Sequence, residues 1–163
     1  DAEVRLAVHL LYYTAQRIGD VVSMRWSDVR DGRIHVVQEK TGTTVEIPLH
    51  HALAEELARA PRRALTILAG RGSAPRTRGR LRQLLQAFAR DRGFKVVPHG
   101  LRKNAVNALL EAGCSAAETA AISGQSLQMV EHYAKLRSQK TLAEGAILKW
   151  NARRTGKPNG KPA

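Results

Sequence analysis

The sequence predicts an α+β domain that is mainly α-helical and carries one small antiparallel β-sheet. Apolar residues recur at helical spacing along most of the chain, whereas a single stretch, GRIHVVQEKTGTTVEIPL (32–49), alternates with the two-residue period of a strand. Strands and helices do not alternate regularly, which excludes a parallel sheet of strand–helix–strand units. A length of 163 residues with 43% hydrophobic content suits one domain with an ordinary core.

Each element follows from its pattern. Val4, Leu6, Val8, Leu10, Leu11 and Tyr13 place an apolar stripe on a helix over 2–15, and a second short helix covers Ile18 to Met24. In 32–49, β-branched residues flank Thr41-Gly42, which reads as a hairpin turn with Lys40 at or beside its tip. HHALAEELARA after Pro48 is helical; LTILAG (65–70) is a short strand or a loop segment. RGSAPRTRGR (71–80) reads as an exposed loop before an arginine-studded helix from about Arg80 to Asp91, closed by Gly93. Three helices then span about 99–112, 115–123 and 126–137, the first two ended by Gly113 and Gly124. KTLAEGAILKWNARR is a last amphipathic segment, and Leu142, Ala146, Ile147, Leu148 and Trp150 pack either on their own core or on a neighbouring subunit. A basic tail over 153–163, ending TGKPNGKPA, is expected to be disordered.

Composition bounds the function. The formal charge of +13 exceeds what solubility needs and points to a polyanion, with nucleic acid foremost. From Arg59 to Lys103 only Asp91 is acidic. Arg76, Arg78, Arg80, Arg82 and Lys103 are therefore candidate phosphate contacts on double-stranded DNA. A single cysteine, Cys114, excludes an intrachain disulfide, offers no zinc cluster and suits a reducing cytoplasm; it reads as a small buried hydrophobe. LAVHLLYY (6–13) is too short to span a bilayer, so no membrane partner is expected. The chain begins with Asp1 rather than Met, which suggests a piece of a longer polypeptide with an upstream domain.

Four short motifs occur in order: AQRIGD (15–20), QEKTG (38–42), PHGLRKN (98–104) and SGQSLQMVEHYAK (123–135). Taken singly, Arg17 reads as a surface arginine paired with Asp20, Lys40 as a solvated turn residue, and His99 and Arg102 as exposed residues of a first helical turn. Their chemistry argues otherwise when they are combined. Attack on a phosphodiester loads negative charge onto the nonbridging oxygens, and two guanidinium groups, Arg17 and Arg102, offer paired N–H donors that stay charged. A free tyrosine with a pKa of about 10 is almost wholly protonated at neutral pH, so Tyr133 needs nearby cations or a base to act as a nucleophile. His99 suits that need as a base or hydrogen-bond partner.

In these motifs the sequence resembles the tyrosine recombinase family, the phage-type integrases, over about residues 1–150. The resemblance implies a catalytic domain over 1–152 with that family's fold, joined in longer members to an upstream core-binding domain. It implies site-specific DNA recombination through a 3′-phosphotyrosyl intermediate, with Tyr133 as nucleophile, Arg17, Arg102 and His99 around the phosphate, and Lys40 protonating the departing 5′-hydroxyl. Asp20 holds an arginine or a backbone group rather than DNA. The bond energy is kept in the covalent link, so neither metal nor cofactor is required. A tetramer on paired sites, with accessory DNA-bending proteins, is the implied assembly. One departure stands out: Gln125 occupies the usual histidine or tryptophan position, and the interval to Tyr133 is one residue shorter. Glutamine donates a hydrogen bond but carries no proton. Two alternatives stay open, DNA relaxation of the type IB topoisomerase kind and a noncatalytic DNA-binding protein of the same fold.

Overall fold

Local capping and apolar spacing set the element boundaries in the computed structural model, which describes residues 1–135 and 139–154. Asp1 caps helix α1 (Ala2–Tyr13) by accepting the Glu3 N–H at 3.0 Å, and the helix buries Val4, Leu6, Ala7, Leu10 and Leu11. Beyond Thr14, Ala15 adopts a φ of 53°, a left-handed conformation that costs an alanine about 1–2 kcal/mol. This bend leaves Gln16 and Arg17 at the joint before helix α2 (Ile18–Ser23).

Strands β1 (Val29–Arg30), β2 (Arg33–Val37) and β3 (Thr44–Pro48) form an antiparallel sheet in sequence order. Ile34 faces Ile47 and Val36 faces Val45, so the two-residue period turns one face into the core. The connecting turn is closed by Gln38 N–H donating to the Thr43 carbonyl at 2.8 Å and by Gly42 N–H donating to the Gln38 carbonyl at 2.8 Å.

Among the described residues six α-helices follow: α3 (His51–Arg59), α4 (Arg78–Arg90), α5 (Pro98–Glu111), α6 (Ala116–Ser123), α7 (Leu127–Lys135) and α8 (Gln139–Arg154). The predicted α+β, mainly helical class is the observed one. Residues 65–70 form a loop with isolated bridges, Thr66 to Arg25 and Ala69 to Pro75, rather than a strand. Helix α4 starts two residues earlier than predicted because the Thr77 hydroxyl accepts the Arg80 N–H at 3.2 Å. Cys114 is only partly buried.

The main core joins α1, the sheet, α3 and α4 through Leu10, Leu11, Ile34, Ile47, Leu53 and Leu81. A smaller cluster of Val106, Leu110 and Val130 packs α7 on α5, with Tyr133 against it. Full burial of Val130 is worth about 1.5–3 kcal/mol and fixes which face of α7 points inward. Helix α8 differs: Leu142, Ile147, Leu148 and Trp150 are 42–70% exposed, so these side chains do not dock on the domain's own core. The expected disordered tail lies outside the described residues from 155 onward, whereas the backbone of 153–154 continues α8.

Gly124 ends α6 with φ 65°, and a Cβ there would overlap the Gln38 side-chain amide. Gly124→Ala therefore should lower unfolding free energy in urea by about 2–4 kcal/mol, the sum of a left-handed alanine and a displaced buried amide.

Candidate active site

Three separate stretches of backbone converge on one buried carbonyl, that of Ser123 at the end of α6. It accepts Gln38 Nε2 at 2.8 Å and Arg102 Nη2 at 2.9 Å. Gln16 Nε2 approaches it at 3.4 Å while donating to the Thr14 carbonyl at 2.8 Å and the Ile122 carbonyl at 3.1 Å. The two glutamines are joined by a 2.6 Å hydrogen bond from Gln38 Nε2 to Gln16 Oε1, and both are fully buried.

Arg17 precedes α2, and its Nη1 donates to Gln38 Oε1 at 3.2 Å. Asp20 is 4% exposed and accepts two backbone N–H groups, from Arg17 at 3.3 Å and from Glu39 at 2.9 Å. It thus fixes the start of α2 to the start of the hairpin turn. Lys40 lies in that turn, exposed, two residues beyond Gln38.

Helix α5 carries Arg102 inward at 2% exposure and His99 outward from the same first turn. Among the described residues only Nη2 of Arg102 is hydrogen-bonded, and Nε and Nη1 are buried with no partner. Burial first, then the positive charge of Arg17, lowers the Arg102 pKa to about 10, while Asp20 and Tyr133 raise it. The guanidinium is still charged at neutral pH, and its two unpaired donors are poised for an anion.

Tyr133 is half-buried, with its ring on the smaller core cluster and Lys103 Nζ 6.0 Å from the ring centroid. Among the described residues no hydrogen bond joins His99 to Tyr133 in this state. Gln125 is partly buried at the start of the α6–α7 connection, and its Oε1 is buried without a partner. No three His, Cys, Asp or Glu side chains among the described residues gather to hold a metal ion.

The arginines expected to contact phosphate divide into two groups. Arg80 and Arg82 are exposed on α4, and Lys103 is exposed on α5. Arg76 departs from that expectation: it is half-buried and paired through two nitrogens with Glu3, and this hydrogen bonding raises its pKa further. Arg78 is paired with Glu39 at the hairpin turn. Gln16, Gln38 and Ser123 are site residues that the motif pattern does not mark. Their only signal was adjacency, Gln16 directly before Arg17 and Gln38 two residues before Lys40.

The phage integrase family model matches residues 1–140. The chain belongs to the phage integrase family. Integrase of Escherichia phage HK022 is 48% identical over 46 residues, which cover 28% of this chain and 13% of that relative. Integrase of Escherichia phage lambda is 49% identical over 45 residues, again 28% and 13%. Among solved structures, a lambda integrase (75–356) dimer bound to a COC′ core site matches with a TM-score of 0.72 at 28% identity. That match covers 84% of this chain and 53% of the other. XerA recombinase matches with a TM-score of 0.76 at 19% identity, over 91% of this chain and 58% of the other, which supports the fold alone. This phage integrase family chain thus spans a little over half of the solved relatives and a small part of the curated ones. Among the described residues no helix is long and apolar enough to cross a membrane.

A buried guanidinium with two unpaired donor nitrogens and a like-charged neighbour destabilises the fold that holds it. Arg102→Met should raise the thermal midpoint by about 2–6 °C, as relief of about 1–2 kcal/mol outweighs one lost hydrogen bond. Differential scanning calorimetry checks the direction; a lowered midpoint would contradict it.

Proposed function

We propose that this chain is the catalytic part of a tyrosine-type site-specific DNA recombinase. One observation carries the reading: Arg17, Asp20 and Tyr133 all act electrostatically on Arg102, whose Nε and Nη1 are buried and unpaired. Such a group demands an anionic partner, and a scissile phosphate supplies one beside a phenol on the adjacent helix. The family match and the lambda integrase structures bound to DNA support duplex DNA as that partner.

In the reaction, Arg17 and Arg102 donate to the nonbridging oxygens and stabilise the charge gained as Tyr133 Oη bonds to phosphorus. The phenolic proton passes to His99. The phosphorus–O5′ bond breaks, its electron pair leaves with O5′, and Lys40 Nζ protonates that oxygen. A 3′-phosphotyrosyl link and a free 5′-hydroxyl result, and attack by a 5′-hydroxyl of a second duplex reverses the step. Asp20 touches no DNA; it holds the backbone of Arg17 and Glu39. Gln125 replaces a proton-carrying or aromatic group by an amide, which lowers the rate without abolishing the step.

Arg80, Arg82 and Lys103 are assigned to the phosphate backbone, and Arg76 is withdrawn from that role. Sequence reading is shared with an upstream core-binding domain, and four protomers act on paired sites in the cytoplasm. Accessory DNA-bending proteins complete the assembly. A tetramer on a Holliday junction among the solved relatives supports this arrangement. No feature of the site favours strand rotation over exchange.

With nicked DNA carrying attachment sites, the chain should form a denaturation-resistant protein–DNA adduct that Tyr133→Phe cannot form. An adduct retained in that variant would assign the nucleophile elsewhere. In the same assay Gln125→His should accelerate cleavage by about tenfold or more, the scale of one positioned proton-transfer group. An unchanged rate would show that position 125 does not limit the step.

A further inference from the structure

Gln38 lies between the groups assigned to catalysis and uses its whole side chain to connect them. Its Oε1 accepts Arg17 Nη1 at 3.2 Å and Thr41 Oγ1 at 3.0 Å. Its Nε2 donates to Gln16 Oε1 at 2.6 Å and to the Ser123 carbonyl at 2.8 Å. Two donors and two acceptors are the full capacity of a primary amide, and here they join three segments: the α1–α2 joint through Gln16 and Arg17, the hairpin turn through Thr41, and the end of α6 through Ser123. Its backbone N–H and carbonyl also close the turn at both ends, on Thr43 and Gly42. Lys40, by contrast, is exposed and has no hydrogen bond or ion pair of its own among the described residues, so only the turn that carries it can set its position.

We propose that Gln38 is a positioning residue that locks the Lys40 turn in register with Arg17 and, through the Ser123 carbonyl, with Arg102. This inference rests on the reading of Lys40 as the proton donor to the leaving oxygen. A neutral amide suits the task, because it orients the Arg17 guanidinium without cancelling the charge that the phosphate needs. A carboxylate there would pair with Arg17 and would present oxygen to the Gln16 and Ser123 acceptors. Gly124 belongs to the same device, since any Cβ at that position would displace the amide.

Gln38→Met keeps length and burial but deletes all four side-chain bonds. It should slow adduct formation about 10- to 100-fold on an ordinary nicked substrate, because a small misplacement of a proton donor forfeits most of its effect. Binding of the same DNA should stay within about twofold, as the phosphate contacts on α4 and α5 are untouched. The distinguishing readout is a substrate with sulfur in place of the bridging O5′. Its thiol leaving group, with a pKa of about 8.5 in the cysteine case, departs without a proton. On that substrate Lys40→Ala should recover to within about threefold of the unsubstituted chain, and Gln38→Met should regain the larger part of its loss, the remainder being the share that acts through Arg17.

A Gln38→Met defect that persists undiminished on the sulfur substrate, while Lys40→Ala is rescued, would overturn the positioning role and leave Lys40 as donor. Failure to rescue Lys40→Ala would remove the donor role itself, and the Gln38 inference with it. If Gln38→Met does not fold by circular dichroism, Thr41→Val decides the matter. It deletes the hydroxyl that donates to Gln38 Oε1 and accepts the Thr43 N–H at 3.4 Å, keeps the other three Gln38 side-chain bonds, and should give a smaller defect that sulfur removes; no defect, or one that sulfur leaves intact, would overturn the inference.

Discussion

The Ser123 carbonyl is the acceptor on which the site depends. Hydrogen bonds from Gln38 and Arg102 reach it from the hairpin and from α5, and Gln16 approaches it from the α1–α2 joint. A carbonyl has two lone pairs, and a buried one left unpaired would cost about 1–3 kcal/mol. Here both are used, and the bonds hold together segments far apart in sequence. The left-handed Gly124 that follows keeps this acceptor open, because its missing side chain leaves room for the Gln38 amide.

Around this anchor the domain stores an electrostatic conflict. Arg102 is buried, close enough to Arg17 to be destabilised by it, and hydrogen-bonded through one nitrogen only. Asp20 relieves part of the positive charge but directs both oxygens to backbone N–H groups. It therefore fixes geometry without neutralising the arginines. The folded state holds two cations together with only part of their charge offset by Asp20, an arrangement that favours binding of an anion and that the surrounding core must offset.

The basic surface has a different character. Arg76 and Arg78 are paired with Glu3 and Glu39, contacts that tie the 70s loop to α1 and α4 to the hairpin. The exposed Arg78 pair contributes little to stability in water. Arg80, Arg82 and Lys103 are left facing solvent. A run of like charges in sequence is thus divided by the fold between internal struts and a surface available to phosphate. The exposed apolar residues of α8 add a second surface that this domain does not cover itself.

The sequence by itself determined the helical character, the single hairpin, most element boundaries to within a few residues, and the order of the four motifs. Those features are local: apolar period, and turn or helix-ending residues such as Gly42 and Gly124, act over a few positions. The family resemblance carried by the four ordered motifs also singled out Arg17, Lys40, Arg102 and Tyr133, whereas each motif taken alone read as exposed polar residues or a solvated turn. Only the tertiary structure decided that Arg102 is buried and His99 exposed on one helical turn, and that Arg76 pairs with Glu3. It also decided that α8 leaves its apolar side chains uncovered. Gln16, Gln38 and Ser123 were illegible for the same reason. A glutamine becomes a positioning group only when distant segments bring donors and acceptors to all its bonding directions, and such long-range pairings leave no periodic mark on the chain.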